Sequence, residues 1–495
     1  MTSIHLDKKY KLSICVFFAS SILFARETQN KPNIVFILAD DLGWADLPIY
    51  GNKFNEAPNL SKLARQGVKF TNAYSAAPVS SPTRASIQTG LYPARLGIND
   101  FIPGHSRPFE EVKVPVNRTQ YLPSEAITFA EMLQKAGYMT AYFGKWHLGV
   151  QPQHLPVNQG YNEMNVGQGF YNVTFTPARG QSKEKIISER LADFSIDFIE
   201  KNKKNPFLLF VSEWDVHCPY DSEQKLIEKY HKKTKVTNYP CNAVYAAMIE
   251  QMDKSIGRII DKLEKEGLVE NTVFIFCSDN GGVISENKYP YIKEEKFPLI
   301  TESKRNIYSR DNPLQYIGTV NTPLRSEKGS LYEGGIRVPL IVKWPARVKA
   351  NKVSDVVLSS VDLFPTILEI AGVKLPENQE VDGKSFLSSL ISGQPENERP
   401  VFWHYPVYHH DVPASAVREG DWKLIENLVN GTVELYNLKV DIGETTDLSK
   451  VFPEKANELY VKLKDWQKEL KADLPAPNLL FDKFRRFEWG KQLNH

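Results

Sequence analysis

The segment Ser80-Ser81-Pro82-Thr83-Arg84, followed after four residues by Thr89-Gly90, puts a hydroxyl, a helix start and a guanidinium within one short stretch. Ser81 is suited to N-cap a helix, Pro82 fits its first turn, and good helix formers follow. Residue 80 would then lie at the positive end of the helix dipole, beside backbone N–H groups that favour an anion. From the first turn, Arg84 could reach an oxygen of that anion or the group at position 80. Such an arrangement suits nucleophilic attack on an anionic ester. A plain helix start uses the same residue types, so the reading depends on what else the chain supplies.

Two apolar runs end in acidic clusters. Asn33–Ala39 leads into Asp40-Asp41-Leu42-Gly43, and Thr272–Ser278 into Asp279-Asn280-Gly281-Gly282. Continuous apolar runs of this length read as buried parallel strands, and ligands of open α/β sheets collect at the carboxyl ends of such strands. Adjacent buried carboxylates are costly unless a cation neutralises them. Three carboxylates and one amide are all oxygen donors, which favours Ca²⁺ or Mg²⁺ over zinc. Between the runs, Met139–Phe143 precedes Gly144-Lys145-Trp146-His147. In an extended segment Lys145 and His147 share a face, suited to an anionic substrate and a proton transfer, with Trp146 packed behind. Another strand, Pro206–Ser212, leads to Asp215-Val216-His217, and Arg325–Arg337 contributes Lys328 and further basic residues.

Taken together and in this order, the segments resemble the type I sulfatases from Asn33 to about Asn437. The resemblance implies that Ser80 is oxidised after translation to formylglycine (3-oxoalanine), whose hydrate is a geminal diol. One hydroxyl would attack sulfur, and loss of the other's proton would expel sulfate and restore the aldehyde. It implies Asp40, Asp41, Asp279 and Asn280 as ligands of Ca²⁺ or Mg²⁺, with the modified Ser80 completing the shell. It gives Arg84 the diol, Lys145 and Lys328 the sulfate oxygens, His147 the proton that drives elimination, and His217 the proton for the leaving alcohol. The serine form departs from the commoner cysteine, and implies a bacterial source with a radical maturation enzyme acting on Ser80.

The whole chain of 495 residues, with a net charge of +2, gives no sign of nucleic-acid binding. Lys8, Lys9 and Lys11 precede the apolar run Leu12–Ala25. That pattern reads as a signal peptide over residues 1–25, too short for a comfortable span of ~20 residues. A soluble, exported and periplasmic product is expected. The remaining Cys218, Cys241 and Cys277 cannot all pair, so no disulfide framework is expected. Strands alternating with helical stretches predict an α/β domain over 31–390, a mostly parallel sheet with helices on both faces. The resemblance adds an alkaline-phosphatase-like architecture. Short strands divided by Gly-Asp and Asn-Gly turns, then a helix near Pro453–Ala472, predict a smaller C-terminal subdomain over 391–495 with an antiparallel sheet.

The expected substrate is a sulfated saccharide. Leu96–Gly104 and Phe402–Tyr405 resemble stretches of bacterial exo-acting sulfatases that remove 4-O-sulfate from galactose or N-acetylgalactosamine. On that resemblance Asp100 and His404 would approach the sugar, with Arg418 and His409 as further candidates. Two other readings stay open from the sequence: a phosphate or phosphonate ester hydrolase of the same superfamily, or a non-catalytic sulfated-glycan binder if Ser80 is unmodified.

Overall fold

A computed structural model describes residues 31–169, 173–179, 185–284, 317–393 and 399–491. The expected signal peptide lies outside them. No helix among the described residues is long and apolar enough to cross a membrane.

Eight strands build the central sheet: β1 (Asn33–Ala39), β2 (Val68–Phe70), β3 (Met139–Gly144), β4 (Glu163–Val166), β5 (Phe207–Ser212), β6 (Thr272–Ser278), β7 (Leu340–Lys343) and β8 (Lys352–Ser354). Their spatial order is β8-β2-β7-β6-β1-β5-β3-β4. Every pairing is parallel except those of β7, which runs against both β6 and β2. In β1, β5 and β6 every residue is buried, as expected of strands covered on both faces.

Two cores sandwich the sheet because alternate residues of each strand face opposite sides. One face carries Val35, Ile37, Phe143 and Leu209 against the helices Ile187–Asn202 (α3) and Ala243–Lys265 (α4). The other carries Ile34, Phe36, Tyr142 and Phe210 against Phe129–Lys135 (α2) and Leu363–Ile370 (α5). Helix α1, Ser80–Thr89, is buried along its whole length. The Cα register sets the strand ends level: Ala39 lies opposite Ser278, Leu38 opposite Ser212, and Gly144 opposite Ser212. Four segments, starting at Asp40, Lys145, Glu213 and Asp279, therefore leave the sheet at one edge.

The C-terminal part is a four-stranded antiparallel sheet, β9 (Val401–Tyr405), β10 (Ala414–Glu419), β11 (Trp422–Asn427) and β12 (Val433–Asn437), in sequence order. Helix α6 (Pro453–Glu469) covers it through Leu459, Leu463 and Trp466, which pack on Val417, Leu424 and Leu435. Trp403 and Tyr405 point to the opposite face and pack on Tyr74 and Ile336 of the large domain.

Candidate active site

Helix α1 begins two residues earlier than the sequence suggested. Val79 occupies the cap position without a side-chain bond, and Ser80 opens the helix. The Ser81 hydroxyl does not cap the helix. It donates to the His147 carbonyl at 2.9 Å and accepts from the Ile102 N–H at 2.9 Å, tying the first turn of the helix to two loops. Ser80 is buried, its Oγ 3.3 Å from Asp40 Oδ1 and 3.4 Å from Asn280 Oδ1.

Around it the four strand-end segments converge. Asp41 has φ 60°, a left-handed conformation that costs a residue other than glycine ~1–3 kcal/mol. Its backbone N–H donates to Asp279 Oδ1 at 3.1 Å, and Asn280 Nδ2 donates to its Oδ1 at 2.8 Å. Arg84 forks onto Asp279 Oδ2 through Nε at 3.0 Å and Nη2 at 2.7 Å. Its Nη1 donates to the Lys145 carbonyl at 3.0 Å and to Ser212 Oγ at 2.6 Å, while Nη2 stands 3.4 Å from Asp40. Lys145 Nζ lies 2.5 Å from Asp40 Oδ2 and 5.1 Å from the centre of the Trp214 ring. Lys328 Nζ lies 2.7 Å from Asp41 Oδ1.

Three buried carboxylates thus face three cations, of which Arg84 and Lys145 are buried and Lys328 is partly exposed. Burial alone would raise the Asp40 and Asp41 pKa values. Lys145, His217 and Arg84 outweigh that at Asp40, and Lys328 and His217 at Asp41, so both carboxyls stay below their ordinary range. Burial pulls the Lys328 ammonium down, but Asp41 and Asp40 outweigh it and hold the group charged.

The two histidines differ in tautomer. His147, with φ 59°, has Nε2 2.6 Å from the Ile102 carbonyl, which can only accept, so Nε2 carries the proton. Its Nδ1 is left as a buried acceptor without a partner among the described residues. Burial, then Lys145 and Arg84, depress its pKa well below the ordinary value, leaving a neutral imidazole. His217 uses the other nitrogen: Nδ1 donates to the Cys218 carbonyl at 2.5 Å, and Nε2 stands 3.6 Å from Asp41 Oδ2.

The donor set fits one divalent cation. Asp40, Asp41 and His217 bring ligand atoms within 4.8 Å of one another, and Asn280 Oδ1 faces the same Ser80 hydroxyl as Asp40. Oxygen predominates, which suits a hard ion.

This arrangement, a helix-start hydroxyl held among a metal-competent acidic cluster and three cations, agrees with what sequence comparison finds. Residues 32–373 match the Sulfatase family. The chain belongs to the sulfatase family. It is a sulfuric ester hydrolase, and residues 326–473 also match the family described as N-sulphoglucosamine sulphohydrolase, C-terminal. A sulfatase of Formosa agariphila is 30% identical, with 90% of each chain covered. An N-acetylgalactosamine-6-O-sulfatase of Bacteroides thetaiotaomicron is 28% identical over 88% of this chain and 92% of its own. Among solved structures, Ps i-CgsB in complex with k-i-k-neocarrahexaose superposes with a TM-score of 0.72 at 27% identity, covering 88% of this chain and 92% of that one.

In this sulfatase the residues expected near the sugar fall in different places. Asp100 is buried and accepts from the backbone N–H of Phe101 at 2.8 Å and of His105 at 3.1 Å. It also stands 2.9 Å from His105 Nδ1 and accepts from the Tyr405 hydroxyl at 3.2 Å. His404 has both ring nitrogens occupied inside the C-terminal part, Nδ1 2.7 Å from Ser415 Oγ and Nε2 2.9 Å from the Asp473 carbonyl. Burial pushes its pKa down to about 4. Arg418 is buried and donates to the Tyr74 hydroxyl and the Gly420 carbonyl. His409 alone of the four packs directly beside the site, against Gly329.

Sequence reading missed Ser212, Trp214 and the Ile102 carbonyl, which hold Arg84, Lys145 and His147. Ser212 and Trp214 lie within five residues of His217, so the end of β5 carried a usable signal. A carbonyl acceptor carries none.

Proposed function

We propose that this sulfatase is an exported enzyme that removes sulfate esters from carbohydrate, with Ser80 acting as formylglycine. The observation that carries the reading is the placement of Ser80 Oγ at 3.3 Å from Asp40, with Arg84, Lys145 and Lys328 around the same carboxylates. The carbohydrate substrate is supported by relatives named N-acetylgalactosamine-6-O-sulfatase and N-acetylgalactosamine-6-sulfatase, and by a structural neighbour in complex with a neocarrahexaose. The leader at residues 1–25 supports export to the periplasm.

The hydrated aldehyde supplies one hydroxyl to attack sulfur and a second whose deprotonation releases sulfate. Asp40, Asp41, Asp279 and Asn280 would hold Ca²⁺, which polarises the sulfate and offsets carboxylate repulsion. Lys145 and Lys328 bind sulfate oxygens, and Arg84 orients Asp279 and the residue at position 80. His147, neutral with Nδ1 bare, is the base for the second hydroxyl. His217, its Nδ1–H fixed by the Cys218 carbonyl, would take a second proton on Nε2 beside Asp41 and, as imidazolium, pass it to the leaving alcohol.

The sequence stretches favour 4-O-sulfate on galactose or N-acetylgalactosamine, whereas the named relatives favour the 6-O position. A screen of singly sulfated monosaccharides decides between them, and faster turnover of a phosphate ester would overturn both. Formylglycine is tested by mass. The tryptic peptide Phe70–Arg84 from the native host should be lighter by two hydrogens than its encoded sequence. A fully active enzyme whose peptide shows only serine would overturn the mechanism.

A further inference from the structure

After helix α6 the chain returns to the large domain. Ala476–Pro477 pairs antiparallel with Val112–Lys113, and Gly490–Lys491 with His105–Ser106. The return is anchored along its length. Asn478 Nδ2 donates to the Pro108 carbonyl at 2.9 Å and the Glu110 carbonyl at 2.7 Å, and Arg486 pairs with Glu110 at 3.1 Å. This clamp delivers Trp489 to a group of rings: its centroid lies 4.3 Å from His105, and the Arg107 guanidinium sits 4.4 Å from its centre. His105 stacks on Phe101 at 5.0 Å and meets His409 edge-on at 5.1 Å.

The ring group adjoins, on two sides, segments next to the residues proposed for catalysis. Phe101 precedes Ile102, whose carbonyl holds His147. His409 lies on Gly329, next to Lys328. Gly329 has φ +81°, and a Cβ there would fall 2.1 Å from His409 Nδ1, so only glycine lets the imidazole sit so near. His410 Nδ1 is 2.7 Å from the Lys328 carbonyl. Two nitrogens, His105 Nε2 and His409 Nδ1, have no hydrogen-bond partner among the described residues. Trp489 keeps 37% of its surface exposed, unlike the fully buried Trp403.

We propose that the returning tail completes the saccharide subsite, with Trp489 as the platform for the substrate's pyranose ring and His105 and His409 as hydrogen-bonding groups for its hydroxyls. An indole offers an apolar face to the C–H side of a sugar and keeps a polar edge for its rim. Rings placed beside polar donors and acceptors are the usual make-up of a specific pocket. The proposal rests on the carbohydrate reading above and adds to it a residue from the far end of the chain, which no local motif announces.

The test uses full-length protein carrying Ser80→Ala, so that binding is read without turnover, and a singly sulfated N-acetylgalactosamine chosen as the one the wild-type enzyme hydrolyses. Trp489→Ala should raise the Kd measured by titration calorimetry about 10-fold, while Trp489→Phe, which keeps a ring, should stay within about 3-fold. In the otherwise native enzyme the same Trp489→Ala change should act on KM more than on kcat. Thermal melting of both variants checks that the fold persists. Unchanged Kd in Trp489→Ala, or equal weakening in the alanine and phenylalanine variants, would overturn the subsite. Wild-type enzyme that hydrolyses no sulfated saccharide would instead remove the carbohydrate reading itself.

Discussion

Two of the buried charge clusters among the described residues are built differently. At the sheet edge, Asp40, Asp41 and Asp279 meet Arg84, Lys145 and Lys328. Between the two parts of the molecule, Glu333 and Glu444 meet Lys423, with Arg337, Arg418 and Tyr74 around them. Lys423 Nζ lies 2.9 Å from Glu333 and 2.8 Å from Glu444, all three fully buried. The Tyr74 hydroxyl donates to Glu333 at 2.6 Å, and the Glu333 N–H to Glu444 at 2.7 Å. In this second cluster, each charge finds its partners within the chain, and ordinary backbone carries them apart from Glu444, at φ 51°. The first carries left-handed residues at Asp41 and His147, and leaves His147 Nδ1 bare. Closed networks hold parts together, whereas an arrangement with unspent lone pairs is made to receive something else.

The largest separation between the two should come from Ser80→Ala. Removing a nucleophile that acts with its partners costs on the order of 10⁶ in kcat, yet no ion pair is lost, so the melting temperature should hold. Activity assays on a sulfated monosaccharide beside thermal melting would check it. A variant retaining a tenth of wild-type activity would place the nucleophile elsewhere.

His217→Ala sharpens the picture within the catalytic cluster. General-acid help is worth ~10²–10⁴-fold and matters least for good leaving groups. A sulfated sugar should therefore slow by roughly that factor, and an activated aryl sulfate by much less. Equal slowing of both, with the fold intact, would move the acid to another group, with Lys328 the next candidate.

At the other cluster, Lys423→Met should leave Glu333 and Glu444 buried against each other. Breaking a buried pair this way costs ~3–5 kcal/mol. Urea unfolding should show that loss. A drop under ~1 kcal/mol would mean that Arg337 and Arg418 suffice.

The smallest expected effect is one of pH. Burial raises the Glu444 carboxyl from 4.5 to about 7, against the pull of Lys423. A folded state that binds the proton more tightly than the unfolded one gains stability below pH 4.5 and loses it as pH rises through 7. Glu333 runs the other way: burial is outweighed by Lys423, Arg337 and Arg418, which hold it at about 2, so its contribution is full above pH 4.5 and is lost as pH falls from there through 2. Glu444→Gln should flatten the decline in unfolding free energy between pH 4.5 and 7. An unchanged slope would assign the decline to other groups.

Much of the sheet-edge cluster was legible because it sits where a strand pattern stops. An apolar run followed by Asp-Asp or Asp-Asn states both the element and the charged residues at its end, and parallel strands present those ends together. The start of α1 was misplaced by two residues. Ser81 looks like a cap from local preference, but tertiary contacts with His147 and Ile102 claim its hydroxyl. His404 lay close in sequence to aromatic residues resembling a sugar site, yet strand alternation and the β9–β10 pairing turn it toward Ser415. Sequence proximity could not tell one face of β9 from the other.

By itself the sequence determined the α/β class, the presence of a helix at Ser-x-Pro-x-Arg and the acidic strand ends, because each depends on residues within a few positions of one another. Only the tertiary structure decided which nitrogen of each histidine is free, since that turns on carbonyls at Ile102 and Cys218. It alone set Lys423 between Glu333 and Glu444, 90 and 21 residues away. It alone carried Trp489 to His105. Such contacts join segments that share no periodicity, and chain folding, not local preference, brings them within reach.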